Sequence, residues 1–564
     1  MSEPPPARAQ EKKLTRRSVR LAAVLTATGA LTAGSLAQAY AADNEFGRHH
    51  GAAKHVLLIS VDGLHQSDLS WYIAQHPQSA LAKLVGGGVE YTGASTTNPS
   101  DSFPGMVAQV TGGGPGTTGV YYDDTYNAAL LPAGTTDCKG AKPGVEVDLT
   151  ENLDKNQSSI DAGQGLSGLP GSILQLTGKP QTLINPAKLP VDPHTCKPVY
   201  PHTYLQTNTV FEVAHQAGLR TAWSDKHAAY EILNGPSGQG VDDLFTPEIN
   251  SDAIGYPAGD DWTKDNKATQ QYDSYKVQAV LNEIDGYDHA RTTRTGTPAV
   301  FGLNLQTVST AQKLPASDGQ TGGYTAKNVP SPLLAGALDY VDQQIGALTA
   351  ELRKEHLDRS TTVILSAKHG QSPTDPQALT RIDDGPLLDG LNAAWKAAHP
   401  GAGDLVAHAV DDDAVLLWLN DRSAAATSFA KDYLLAQNGT GNDIKGAPKP
   451  FTTGGLTKVY AGAAAAGFFG VKPGDARVPD VFGVAQYGVV YTGGHGKVAE
   501  HGGGHADDLN VPLVVSGAGT PDHVRDSAPV ETKQIAPTIL KLLGLNPQQL
   551  QAVRAEHTAV LPVR

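Results

Sequence analysis

The segment Lys54-His55-Val56-Leu57-Leu58-Ile59-Ser60-Val61-Asp62-Gly63 restricts the fold more than any other part of the chain. It is a short, nearly unbroken apolar run that ends in a carboxylate and a glycine. A strand exposed on one side alternates apolar and polar residues, whereas a continuous apolar strand is buried on both faces, as in a parallel sheet covered by helices. Runs of the same kind recur at 299–305, 361–366 and 511–515. Between them, Leu334, Leu338, Val341, Ile345, Leu348 and Leu352 repeat at helical spacing and lead into Arg353 and Lys354, where positive charge suits a helix C-terminus. This alternation predicts an α/β chain: a three-layer α/β/α arrangement around a mostly parallel central sheet, with ligands expected beyond the carboxyl ends of the strands. Two stretches fit the pattern poorly. Residues 124–205, rich in Gly, Pro and Asp, and residues 372–490 read as insertions over the top edge of the sheet, placed to wall a substrate cleft.

Charge narrows the partners. The chain has 564 residues with 43 Lys+Arg against 57 Asp+Glu, a formal net charge of −14. A surface of that sign does not attract a nucleic-acid duplex or an anionic membrane. Residues 1–42 read as a twin-arginine export signal. A basic region contains Arg16-Arg17, no charge follows Arg20 until Asp43, and small-residue cleavage patterns lie at Ala37-Gln38-Ala39 and Ala39-Tyr40-Ala41. The uncharged run is mostly Ala, Thr and Gly, too weakly apolar for a stable membrane span. The expected mature body, residues 43–564, is therefore soluble outside the cytoplasmic membrane. Losing six basic and two acidic residues with the signal takes its formal charge from −14 to −18. An exported chain with two cysteines can pair them. A Cys138–Cys196 bridge would close a 58-residue loop, worth about 4 kcal/mol through the entropy of the unfolded chain, with two buried free thiols as the other arrangement.

Four further motifs carry chemistry. Asn98-Pro99-Ser100-Asp101-Ser102-Phe103-Pro104-Gly105 opens a helix, so the Ser102 hydroxyl would lie near backbone N–H groups able to receive an anion, unless it serves only as a cap. Ser366-Ala367-Lys368-His369-Gly370 follows one buried run, and Glu500-His501-Gly502 precedes another. Near the end, Gln534-Ile535-Ala536-Pro537-Thr538-Ile539-Leu540 starts a helix closed by Gly544. In this order, from about residue 54 to about residue 546, the motifs resemble the alkaline phosphatase superfamily, in its type I phosphodiesterase/nucleotide pyrophosphatase branch. The resemblance implies a hydrolase of small phosphate esters in which two zinc ions flank a Ser or Thr nucleophile. It places the nucleophile at Ser102, Asp62 and His369 beside one metal, and His501 beside the other. A bound dication would lower the barrier to forming the alkoxide while a second stabilises the leaving oxygen.

The departures from that pattern are chemical. Gln306 and Thr310 stand where the family has an Asp and a His on the second metal, Lys368 replaces a carboxylate, and Asp123 falls where an Asn supports a phosphate oxygen. A protonated Lys cannot ligate a metal and is repelled by one. Three arrangements remain: one divalent metal, zinc by family resemblance, held by Asp62, His369 and Asp123; Lys368 replacing a metal, as fixed charge on the phosphoryl oxygens or as base to Ser102; or a site kept for binding alone. Sulfate-ester and phosphonate hydrolases share the same nucleophile logic. In the Gly-rich loop 494–508, His495, His505, Asp507 and Asp508 are either replacement ligands or solvated loop residues. Asp225 and His227, within the segment Trp223-Ser224-Asp225-Lys226-His227, either line the cleft with Gln306 or form an ordinary strand-to-loop transition.

Overall fold

The computed structural model describes residues 53–494 and 496–562. The expected export signal and His495 lie outside the described residues. The strands that frame the molecule are β1 (His55–Val61), β2 (Gly88–Tyr91), β3 (Ala222–Ser224), β4 (Asp243–Phe245), β5 (Val300–Leu305), β6 (Thr361–Ser366), β7 (Val406–Asp411), β8 (Ala414–Leu419), β9 (Leu456–Ala461), β10 (Val481–Ala485), β11 (Val514–Gly517) and β12 (Val524–Asp526). Eight of them form the central sheet in the order β12-β2-β11-β6-β1-β5-β3-β4.

β1 lies in the middle and pairs in parallel with β6 (His55 opposite Thr361 through Ser60 opposite Ser366) and with β5 (Val56 opposite Val300 through Val61 opposite Leu305). β3 and β4 continue the parallel set. The sheet is mostly parallel, as the apolar runs predict. One of those runs behaves differently: β11 starts at Val514 and runs antiparallel to both β6 and β2. Burial on both faces makes a strand apolar whatever its direction, so the pattern cannot report polarity.

The helices are α1 (Ser102–Thr111), α2 (Asn266–Ile284), α3 (Thr307–Lys313), α4 (Pro332–Lys354), α5 (Gly385–Ala398), α6 (Ala424–Leu434) and α7 (Ile535–Leu542). The two-residue period of β1 sends its side chains into two layers. Val56 and Leu58 pack with Phe103, Met106, Val107 and Val110 of α1 and with Ile535 and Ile539 of α7. Leu57, Ile59 and Val61 pack on the other face with the Leu334-to-Leu352 stripe of α4, with Val308 of α3 and with Val277 and Val280 of α2. Helix α4 begins where Ser331 accepts from the Leu334 N–H, places Pro332 in its first turn and ends in Arg353 and Lys354, so cap, proline and terminal charge agree with the apolar spacing.

The two irregular stretches are built differently. Part of 124–205 forms a hairpin, Asp124–Asn127 against Val145–Asp148, and its Leu153, Ile160, Ile173 and Leu183 join the same core as α1. Cys138 and Cys196 are bonded as a disulfide within it. Residues 372–490 contribute to two four-stranded sheets of their own, one of them β7-β8-β10-β9, which with α5 and α6 enclose a separate core around Leu388, Leu391, Trp395, Val415 and Leu417. Among the described residues no helix is long and apolar enough to cross a membrane.

Candidate active site

Four neighbouring parallel strands deliver the site. At their carboxyl ends, β1 presents Asp62, β5 presents Asn304 and Gln306, β6 presents Lys368 and His369, and β3 presents Asp225 and Lys226. After Asp62 the chain turns at Gly63, whose φ of +79° favours glycine. Helix α1 enters from above with Ser102 as its first residue. Its cap is Asp101, whose Oδ1 accepts from the Phe103 N–H at 3.2 Å, so the Ser102 hydroxyl is left for other contacts. At Gly105 a Cβ atom would stand 2.1 Å from the Lys368 carbonyl oxygen; only glycine lets α1 approach the turn after β6 this closely.

Three groups meet the Ser102 hydroxyl. Lys226 Nζ donates to Oγ at 2.9 Å, His369 Nε2 lies 3.1 Å away, and Asp62 Oδ2 lies 3.3 Å away. The His369 tautomer follows from its other contact. Nδ1 lies 3.0 Å from the Gly370 carbonyl oxygen, which can only accept, so Nδ1 carries the hydrogen and Nε2 turns a lone pair toward Ser102. Asp62 is held from the opposite side. Asn304 Nδ2 donates to Oδ1 at 2.8 Å and Gln306 Nε2 to Oδ2 at 2.7 Å, while Lys226 Nζ stands 3.4 Å from Oδ2. Gln306 is itself anchored, its backbone N–H donating to Asp273 Oδ2 at 2.8 Å.

Electrostatics assign protonation states. Burial lowers the pKa of His369 to about 4 against the pull of Asp62, and nearby Lys226 and Lys313 lower it further, so the imidazole is neutral at pH 7. Burial opposes ionisation of Asp62, but Lys368, Lys226 and His369, together with the Gln306 hydrogen bond, hold its carboxyl well below the usual range. For Lys226, burial favours the neutral amine; Asp62, Asp225, Asp123 and Asp101 outweigh it, raise the pKa and keep the ammonium charged. The hydroxyl therefore faces a neutral base, a carboxylate and a fixed cation.

Several sequence expectations are corrected by this arrangement. Lys368, expected on the phosphoryl oxygens or as base to Ser102, is fully buried and paired elsewhere: its Nζ donates to Asp225 Oδ1 at 2.8 Å and to the Tyr230 hydroxyl at 2.7 Å. The cation on Ser102 is Lys226, to which the sequence reading assigned no role. A strand end one residue past Asp225 was its only sequence signal, because the neighbourhood of Ser102 arises from pairing of β3 with β5. Asp225 is bound to Lys368 and accepts from Trp223 Nε1 at 2.9 Å. Gln306 contacts Asp62 directly and also lines the cleft. His501 stands beside His369, ring centroids 4.2 Å apart, and Tyr122 links it to Asp412. Asp123 lines the same cleft; burial raises its carboxyl to about 6, with Lys226 opposing. The remaining loop residues are occupied locally: His505 Nε2 bonds the Ala485 carbonyl at 2.9 Å, Asp507 accepts from Thr374 and Tyr487, and Asp508 accepts from the His505 N–H.

The donor set bears on metal binding. Around Ser102 both Asp62 oxygens already accept from amides, and the Lys226 ammonium, 2.9 Å from Oγ and 3.4 Å from Asp62 Oδ2, already supplies a positive charge to both. The residues at Ser102 do not fit the paired-metal arrangement, nor one ion held by Asp62, His369 and Asp123. Beside them, Asp412, Glu500 and His501 offer donor atoms within 4.8 Å of one another and form a candidate metal-ligand group, with Lys313 and Lys497 paired to Glu500. A cleft of about 760 Å³ opens beside Ser102, lined among others by its neighbours Lys226 and His369 and by Asp123, His227, Gln306 and His501.

Comparison with known proteins agrees with this architecture. The sequence profile of the type I phosphodiesterase / nucleotide pyrophosphatase family matches residues 56–153 and 177–507. No match was found among curated protein sequences. Among solved structures, the wild-type alkaline phosphatase PafA superposes with a TM-score of 0.57 at 15% identity, covering 88% of this chain and 96% of that one. An inactive variant of murine ectonucleotide pyrophosphatase/phosphodiesterase 5, in complex with AMP, gives a TM-score of 0.52 at 12% identity over 88% of this chain and 96% of that one. At these identities the likeness is one of fold.

Proposed function

The chain belongs to the type I phosphodiesterase / nucleotide pyrophosphatase family, and from that premise we propose that it hydrolyses small phosphate diesters with Ser102 as nucleophile and with Lys226 standing in for metal charge. The observation that carries this reading is the Lys226 ammonium, 2.9 Å from Ser102 Oγ and 3.4 Å from Asp62.

In this reading the Ser102 oxygen attacks phosphorus while its proton passes to His369 Nε2. Because Nδ1 is committed to the Gly370 carbonyl, that lone pair is aimed at the hydroxyl before substrate arrives, and the imidazolium that forms lies 3.8 Å from Asp62. Lys226 is charged throughout, so it stabilises negative charge developing on Oγ and on the phosphoryl oxygens. The result is a phosphoserine and a released alcohol or nucleoside. The leaving oxygen departs on the face opposite Oγ and takes its proton from solvent; water then enters on that face and cleaves the phosphoserine, and His369 returns its proton to Ser102 Oγ. Asn304 and Gln306 hold Asp62 in place and act as positioning residues.

Charge also selects the substrate. A pair of dications would carry about four positive charges, whereas this site presents one ammonium at the nucleophile and a second, Lys368, already paired with Asp225. A singly charged diester suits that field better than a dianionic monoester. The volume of the cleft suits a nucleotide-sized molecule, and the fold neighbour in complex with AMP supports testing nucleotide diesters first. The disulfide supports export into an oxidising compartment, the setting implied by the twin-arginine reading of residues 1–42.

The test is turnover of a nitrophenyl phosphodiester. Ser102→Ala is expected to abolish it with the fold intact, and the wild type is expected to prefer diesters over monoesters in kcat/KM. Undiminished activity in Ser102→Ala sinks the nucleophile assignment; hydrolysis of sulfate esters alone sinks the substrate class.

A further inference from the structure

We propose a divalent-cation site of the zinc class at Glu151, Asp154, His227 and Glu248, formed where the first insertion meets the loops after β3 and β4. It lies beyond the residues assigned to the family's metals and does not rest on the role given to Ser102.

Glu151, His227 and Glu248 each offer a donor atom, and these atoms lie within 4.8 Å of one another. All three are buried, Glu248 completely. Both Glu248 oxygens approach His227 Nδ1, at 2.9 and 3.0 Å, and Glu151 Oε2 accepts from Asn250 Nδ2 at 2.6 Å. The observation that points to a ligand is Asp154. Its side chain is 0% exposed and neither carboxylate oxygen has a hydrogen-bond donor; burial, and then the neighbouring Glu248 carboxylate, push its carboxyl up to about 10. Lys188 is near, but its Nζ donates to the Asp154 carbonyl, not to the carboxylate.

Glu151 and Glu248 have donors of their own, from Asn250 and His227, whereas Asp154 has none; buried carboxylates gathered in this way repel one another, and a protein resolves such a cluster with protons or with a cation. The imidazole discriminates between cations. Calcium and magnesium favour all-oxygen shells, whereas carboxylates together with one imidazole match zinc and its first-row neighbours. The location suggests what an ion there would do. Glu151 and Asp154 come from the 124–205 stretch, while His227 and Glu248 follow central strands, so the ion would tie the insertion to the sheet one residue away from Lys226.

The experiment uses the full chain, stripped with a chelator and titrated with Zn²⁺ by calorimetry and with Co²⁺ by visible absorption, the melting temperature being followed in parallel. One equivalent is expected to bind and to raise Tm. Asp154→Asn and Glu248→Gln, each with native circular dichroism, are expected to weaken that binding at least about ten-fold, whereas His501→Ala, which disrupts the neighbouring Asp412–Glu500–His501 group, leaves it in place. If Glu248→Gln does not fold, Asp154→Asn decides. Absence of stoichiometric binding, wild-type affinity in the Asp154 and Glu248 variants, or loss of binding in His501→Ala would each overturn the site and leave the carboxylates sharing a proton.

Discussion

At the scale of single residues, the proposed mechanism rests on the contact between Lys226 and Ser102. An ammonium placed on the oxygen where charge develops acts in the transition state more than in the ground state. Lys226→Met keeps most of the side-chain volume and removes the charge; it is expected to lower kcat by about a hundred- to a thousand-fold, read from steady-state diester kinetics. His369 supplies a second test. Its folded pKa of about 4 means that the base is available above that pH and is lost as pH falls through it. The pH profile of kcat/KM is therefore expected to show an acid limb near 4, well below the 6.5 of a free imidazole; a limb near 6.5 would show that burial does not set the titration. The candidate nucleophile and its histidine were legible in sequence, because each sits in a short motif at an element boundary. Lys226 was not. Its proximity to Ser102 spans 124 positions and depends on which strand lies beside which.

At the scale of elements, the site depends on how closely α1 approaches the turn after β6. Gly105 sits at that contact, where a Cβ would be 2.1 Å from the Lys368 carbonyl. Gly105→Ala is expected to push the helix away, destabilise the fold by about 1–3 kcal/mol in denaturant titrations and reduce kcat, since Ser102 rides on the displaced first turn. The helical and strand elements themselves were readable. The apolar stripe of α4, its Pro332 and its terminal charges all point to one helix, and the uninterrupted runs at 55–61, 300–305 and 361–366 are buried strands. The direction of β11 was not readable, because a fully buried strand has the same composition in either direction.

At the scale of the whole molecule, the disulfide closes a 58-residue loop in the first insertion. Reduction, or Cys138→Ser with Cys196→Ser, is expected to cost about 4 kcal/mol of stability, measured by denaturant unfolding of oxidised and reduced protein. The insertion shares a core with one face of the central sheet, whereas the other face packs on α2, α3 and α4, so the sheet is expected to keep its secondary structure after that change. The acidic balance of the chain says little about the site: the group nearest the hydroxyl proposed as nucleophile, Ser102, is a cation, Lys226. The sequence by itself determined the layers and the order of the motifs, because periodicity, caps and turn residues act over a few positions and are written locally. Which cation meets Ser102, that Lys368 is held by Asp225 and Tyr230, and that Glu151 and Asp154 converge on His227 and Glu248 were decided only by the tertiary structure. Strand adjacency and the seating of an insertion are long-range packing outcomes, and no local pattern of residues encodes them.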